Sequence, residues 1–135
     1  MTQKIVISLS ALLLAVLLLS GCATFLEDMG GIFATEVSDL EKARSRGKTE
    51  TFLLSFDAAF DEVTDIVKKN SLIIYQTNRK RKYIIVMGFK DQVDTTRVGV
   101  FFDPVSDNET RITLSSLSSM TLPKAETIIF GGLRK

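Results

Sequence analysis

The side chains able to carry chemistry are few and unevenly spread. Cys22 is the sole thiol of the 135-residue chain, and there is no histidine or tryptophan. Without an imidazole, the Ser–His, Cys–His and zinc constellations cannot be assembled from this chain. No glycine-rich phosphate loop or dinucleotide fingerprint occurs. Catalysis is left to carboxylates, lysines and tyrosines, so the expectation is a non-enzyme with no cofactor and no metal. Four groups still merit chemical reading. Asp57, Asp61 and Asp65 recur at i, i+4 and i+8 beside Glu62; paired carboxylates can do acid–base work or hold a hard cation, but this spacing sets them opposite an apolar stripe, on a solvent face. Asp103, Asp107, Asn108 and Glu109 offer oxygens to calcium, yet their order and the missing central glycine suit a plain turn better. Ser115, Ser116, Ser118, Ser119 and Thr121 form a hydroxyl-rich stretch with no evident base; it reads as an exposed strand end, and as an edge strand it could accept a partner strand. Arg79, Lys80, Arg81 and Lys82 stand in a row on a predicted hairpin tip. They can touch the phosphates of an anionic lipid surface, each contributing about 1 kcal/mol, or simply be a solvated turn whose charges keep strand ends from pairing with neighbours.

The thiol has the most specific setting. Lys4 is the only charge before it, Ile5 to Leu19 is an uncharged apolar run interrupted by Ser8 and Ser10, and Leu19-Ser20-Gly21-Cys22 closes the run. The run falls short of the roughly 20 apolar residues that span a bilayer core, and small residues before the cysteine suit a peptidase that must fit both side chains. This stretch resembles the lipobox of bacterial lipoproteins. The resemblance implies that Leu19, Ser20 and Gly21 are peptidase recognition residues, that Cys22 receives diacylglycerol (palmitate-type acyl chains) on its sulfur, and that 1–21 is a cleaved signal peptide. With about 0.8 kcal/mol per buried methylene, several acyl chains anchor a protein permanently. Ala23, rather than aspartate, follows the cysteine; by the same resemblance, a host with two membranes would pass the protein to the outer membrane, facing the periplasm.

Loss of Lys4 with the signal leaves 16 basic and 16 acidic side chains. That balance gives no global pull toward nucleic acid or a membrane surface. The remainder suffices for one domain with one core. With the only cysteine at the anchor, that core must be held by burial and not by disulfides.

Those residues must be positioned by elements that the pattern largely specifies. Residues 22–48 read as a lipidated tether, its apolar Phe25, Leu26, Ile32 and Phe33 resting on the bilayer or folding back onto the domain. The tether carries a short, loosely packed helix over 36–46, with Thr35 as N-cap, Val37, Leu40 and Ala43 as a weak stripe, and Gly47 as stop. The domain, 49–135, starts with a strand over 49–56. Asp57 then caps a helix whose Phe60, Val63 and Val67 recur at i, i+3 and i+7 and which Asn70 ends in a left-handed conformation. Strands follow over 71–77, 82–89, 96–103 and 110–117, as an antiparallel meander. A final short helix lies between Pro123 and Gly131-Gly132, with Ala125, Ile128 and Ile129 on one side.

The fold class is therefore α+β: an antiparallel sheet of about five strands with helices on one face, in the order strand, helix, four strands, helix, the other face open to water. Over Thr49 to Gly131, this order and the phrase Phe56-Asp57-Ala58-Ala59-Phe60 resemble small βαββββα domains of uncharacterised bacterial envelope lipoprotein families. More distantly, they resemble the outer-membrane assembly lipoprotein with helix-grip domains. The function expected is that of a membrane-anchored, non-enzymatic envelope protein that binds another envelope protein as a structural or assembly accessory. The alternative is a binder or sensor of a small anionic or apolar ligand in the gap between helices and sheet. A filled gap with a free edge would favour the first reading; an apolar pocket with one buried charge would favour the second.

Overall fold

Chain segments rich in Val, Ile, Phe and Thr, alternating with period two, pair here into one sheet. In this computed structural model, which describes residues 37–92 and 96–135, the strands are β1 (Lys48–Phe52), β2 (Ile73–Asn78), β3 (Tyr83–Met87), β4 (Val98–Ser106) and β5 (Glu109–Ser116). All neighbours are antiparallel. The order is β1-β5-β4-β3-β2, so β2 to β5 form the expected meander and β1 closes its far side. The domain is α+β, as its pattern of elements indicates.

The first face of the sheet is covered by α2 (Phe56–Lys69) and by a C-terminal helix. That helix runs from α3 (Leu122–Ala125) through a π-helical stretch (Glu126–Phe130) into α4 (Gly131–Leu133). Val63 and Val67 of α2 are fully buried against Ile84, Val86, Val98, Val100, Ile112 and Leu114. Each such aliphatic side chain contributes about 1.5–3 kcal/mol when buried. Aromatic rings fill the layer between helices and sheet: Phe60 lies 5.2 Å from Phe102, Phe56 5.9 Å from Phe102, and Phe52 5.4 Å from Phe130.

The second face does not face water throughout, as the sequence pattern led us to expect. Residues 37–42 are α-helical (α1) and continue into a 3-10 turn, Ala43–Arg46. Val37 and Leu40 form a second buried cluster with Tyr83, Ile85 and Phe101, and Val37, Leu40 and Ala43 are only 2–3% exposed. The stripe that looked too weak for tight packing packs tightly because the sheet makes room for it. A Cβ on Gly99 would meet the Phe101 ring at 2.5 Å and Leu40 at 3.4 Å. Thr35 and the start of the expected helix lie outside the described residues.

Several boundaries differ from expectation for local reasons. Ser55, not Asp57, caps α2, its hydroxyl accepting from the Ala58 N–H at 3.2 Å, so β1 ends at Phe52 rather than running to Phe56. Ser71, at φ +58°, and not Asn70, takes the left-handed position after α2; the Leu72 N–H then bonds back to the Val67 carbonyl at 3.0 Å, a helix-ending motif. β4 runs through Pro104, beyond the expected end of that strand at 103. The proline is tolerated because the register shifts beside it, between Pro104 and Ser106, and a bulge needs no ladder donor at that site. Gly131 and Gly132 continue the last helix instead of ending it. A Cβ on Gly132 would meet Ile66 at 2.8 Å, so glycine there lets this helix lie close against α2.

Candidate functional site

The four cations of the hairpin tip are divided by the fold. Asn78 ends β2 and its side-chain oxygen accepts from the Arg81 N–H at 2.9 Å. Lys82, at φ +61°, turns the chain into β3. Arg79 folds back on the first turns of α2, donating to Asp57 at 2.9 Å and Asp61 at 2.5 Å, with its guanidinium 4.4 Å from the centre of the Phe60 ring. These pairs raise its pKa, the bond to Asp61 acting most strongly, against some desolvation, with Asp57 adding to it. Lys82 places its ammonium 5.9 Å from the Phe56 ring. Lys80 and Arg81 are exposed. The tip thus presents two outward cations, and its other two close the end of the core.

Two members of the acidic row are engaged by the same contacts, while Glu62 and Asp65 are exposed. Asp57 and Asp61 serve Arg79, while Asp103 forms an ion pair with Arg44, whose guanidinium sits 4.9 Å over Phe101. Asp107 and Asn108 make the β4–β5 turn. Among the described residues, no three histidine, cysteine, aspartate or glutamate side chains come together as a metal site.

The hydroxyl-rich stretch divides: Ser115 and Ser116 are buried at the end of β5, while Ser119 beyond the strand is exposed. β5 lies between β1 and β4 and pairs with β1 as far as Leu114, so it is not an edge strand. Ser115 is fully buried and its hydroxyl donates to the Leu40 carbonyl, tying α1 to the sheet. Ser116 donates to the Arg97 carbonyl at 2.8 Å and accepts from the Ser118 N–H at 3.1 Å. Thr121 bonds Gln92 and Ser118 through its hydroxyl.

The edges of the sheet are β1 and β2. β1 carries Lys48 and Glu50, and Arg134 of the last helical turn binds the Glu50 carboxylate with two donors, at 3.2 and 2.6 Å. β2, Ile73-Ile74-Tyr75-Gln76-Thr77-Asn78, carries no charge of its own; Ile73 and Tyr75 are 51% and 38% exposed, and the Arg97 guanidinium lies 3.9 Å over the Tyr75 ring. This edge was missed from sequence. Its missing charges are visible there, but strand order is not.

An open groove of about 440 Å³ lies where the chain leaving β3 meets the C-terminal helix. Phe89, Pro123 and Ile128 form its apolar lining, and Lys90, Asp91 and Lys124 its polar lining. The gap between helices and sheet, where a ligand was considered, is filled by the aromatic rings described above.

The lipobox residues Leu19, Ser20, Gly21 and Cys22 and the tether 23–34 lie outside the described residues. Among the described residues, no helix is long and apolar enough to cross a membrane. Comparison with protein-family models and with curated proteins found no match for this chain.

Proposed function

We propose that this chain is a lipid-anchored protein of the bacterial cell envelope, tethered through acylated Cys22 and, in a host with two membranes, held on the periplasmic side of the outer membrane. Its domain is a non-enzymatic binding module that takes an extended segment of another envelope protein along β2. The anchoring rests on the signal-like sequence. The binding mode is carried by one observation, the edge at β2, which has no charged residue of its own and leaves Ile73 half exposed, with Tyr75 beside it under the Arg97 guanidinium. An unpaired edge presents a row of backbone donors and acceptors that a second strand satisfies. Natural edges that are not meant to pair are usually blunted with charge, as β1 is here. The filled helix–sheet layer supports a protein partner over a ligand held between the layers. The hydroxyls of Ser115, Ser116 and Thr121 are committed to protein oxygens, which supports a structural role for that stretch.

The test uses the full chain in its own host, with a photo-reactive residue placed at Ile73, Tyr75, Thr49 or Thr51. Discrete protein adducts from the two β2 positions, lost on the further change Thr77→Lys, are expected, with none from β1. Adducts of equal yield from both edges would remove the β2 reading. An N-terminal peptide without acyl mass in the same preparation would remove the anchor.

A further inference from the structure

The groove beside the C-terminal helix combines four features. Its apolar lining of Phe89, Pro123 and Ile128 is bordered by two lysines and one aspartate. The Lys124 ammonium is held in place by donating to the Lys90 carbonyl at 2.8 Å, which uses one of its three donors and leaves two. The wall formed by Thr127 and Ile128 belongs to the π-helical stretch Glu126–Phe130, and π turns inside helices occur frequently at functional sites. On the facing side, Asp91 sits at φ +63°, a conformation uncommon outside glycine that Asp and Asn tolerate best.

We propose that this groove binds a long-chain carboxylate, the acyl chain lying on Phe89, Pro123 and Ile128 and the head meeting Lys90 and Lys124. Charge selects the head. Two ammonium groups against one carboxylate leave one net positive charge, which matches a monoanion; a dianionic phosphate would face stronger repulsion from Asp91. Size selects the tail. A volume of about 440 Å³ lies toward the lower end of the roughly 300–1,000 Å³ spanned by small-molecule sites, which suits one chain better than the two of a diacyl lipid. No residue of β2 lines the groove, so the proposal does not rest on strand addition there.

The test keeps the full chain in vesicles of neutral phospholipid and adds photo-reactive sixteen-carbon probes ending in carboxylate, alcohol or trimethylammonium, with crosslinks mapped by mass spectrometry. The carboxylate probe is expected to label peptides covering 89–92 and 123–128 at least tenfold more than the trimethylammonium probe. Lys90→Glu, a change at an exposed side chain, should reduce that labelling about tenfold, and Lys69→Glu on α2 should leave it unchanged. Labelling spread evenly along the chain, equal labelling by all three probes, or equal loss in the two lysine variants would overturn the proposal. Folding of each variant is checked by its circular dichroism melt. If Lys90→Glu melts early, Lys124→Gln takes its place and must show the same loss.

Discussion

The two faces of the sheet are closed in different ways. On the first, α2 and the C-terminal helix bring large side chains onto Ile84, Val86, Val100, Ile112 and Leu114, and the layer is apolar and rich in aromatic rings. On the second, among the described residues, α1 and the 3-10 turn after it bring Val37, Leu40 and Ala43 onto a surface where Gly99 leaves room for the Phe101 ring, and Ser115 donates a hydrogen bond to the Leu40 carbonyl. Burial by area closes the first face; close approach and a polar tie close the second. Each face also has an arginine laid over a phenylalanine and paired with aspartate: Arg79 over Phe60 with Asp57 and Asp61, and Arg44 over Phe101 with Asp103. The same device therefore serves two unlike interfaces.

The comparison can be broken most directly with one substitution made on both faces. Leu114 is fully buried in the first cluster and Leu40 is 3% exposed in the second. Leu114→Ala should cost about 3–5 kcal/mol, because the rigid layer around it cannot collapse into the cavity, and Leu40→Ala nearer 2 kcal/mol, because α1 can shift toward the sheet. Urea melts give the two values. Hydrogen exchange should show the Leu40 variant opening chiefly over 37–46 while the Leu114 variant opens the whole domain. Equal costs with global opening in both would mean that the two faces form one cooperative core.

How far the sequence discloses this difference depends on the face. The first was legible because Phe60, Val63 and Val67 keep a helical period and Val98, Val100 and Phe102 keep a period of two, so large residues announce their own burial. The second was not. Three small or medium apolar residues make a weak stripe, and what gives them a seat is Gly99, more than fifty residues downstream, a position that by pattern alone only weakens a strand. The serine stretch was misread for the same reason. Hydroxyls look solvated in a sequence, and only the strand order reveals that Ser115 lies under α1. The free edge at β2 depends on β1 joining β5 at the opposite side, a pairing set where Gly47 lets the Leu114 carbonyl approach so closely that a Cβ would lie 2.2 Å from it.

A smaller effect tests the polar tie itself. Ser115→Ala removes the donor to the Leu40 carbonyl and leaves a buried acceptor, at a cost of about 1–2 kcal/mol. Ser116→Ala, which loses its bond to the Arg97 carbonyl at 2.8 Å, should leave exchange over 37–46 unchanged even if it lowers stability. Faster exchange there in both variants would show that α1 is held by the strand end as a whole and not by Ser115.

The smallest expected effects separate the two arginines. The Arg44 side chain is 30% exposed and that of Arg79 47%, with its partners Asp57 and Asp61 at 77% and 66%. Solvent screens the second set more, so Arg44→Gln should cost on the order of 1 kcal/mol and Arg79→Gln less. The pKa of Arg79 is raised in the fold, so its contribution is fully present below the pKa of an unfolded arginine and is lost only as pH rises through the higher folded value. The Arg79→Gln loss should therefore be the same at pH 6 and pH 9. It should shrink when salt shortens the Debye length from about 30 Å at 0.01 M to about 3 Å at 1 M. The Arg44→Gln loss should shrink less, since both Arg44 and its partner Asp103 are less exposed than Arg79 and its partners and salt screens a partly buried pair less. Equal salt dependence in the two variants would mean that this difference in exposure does not govern how strongly either pair is screened.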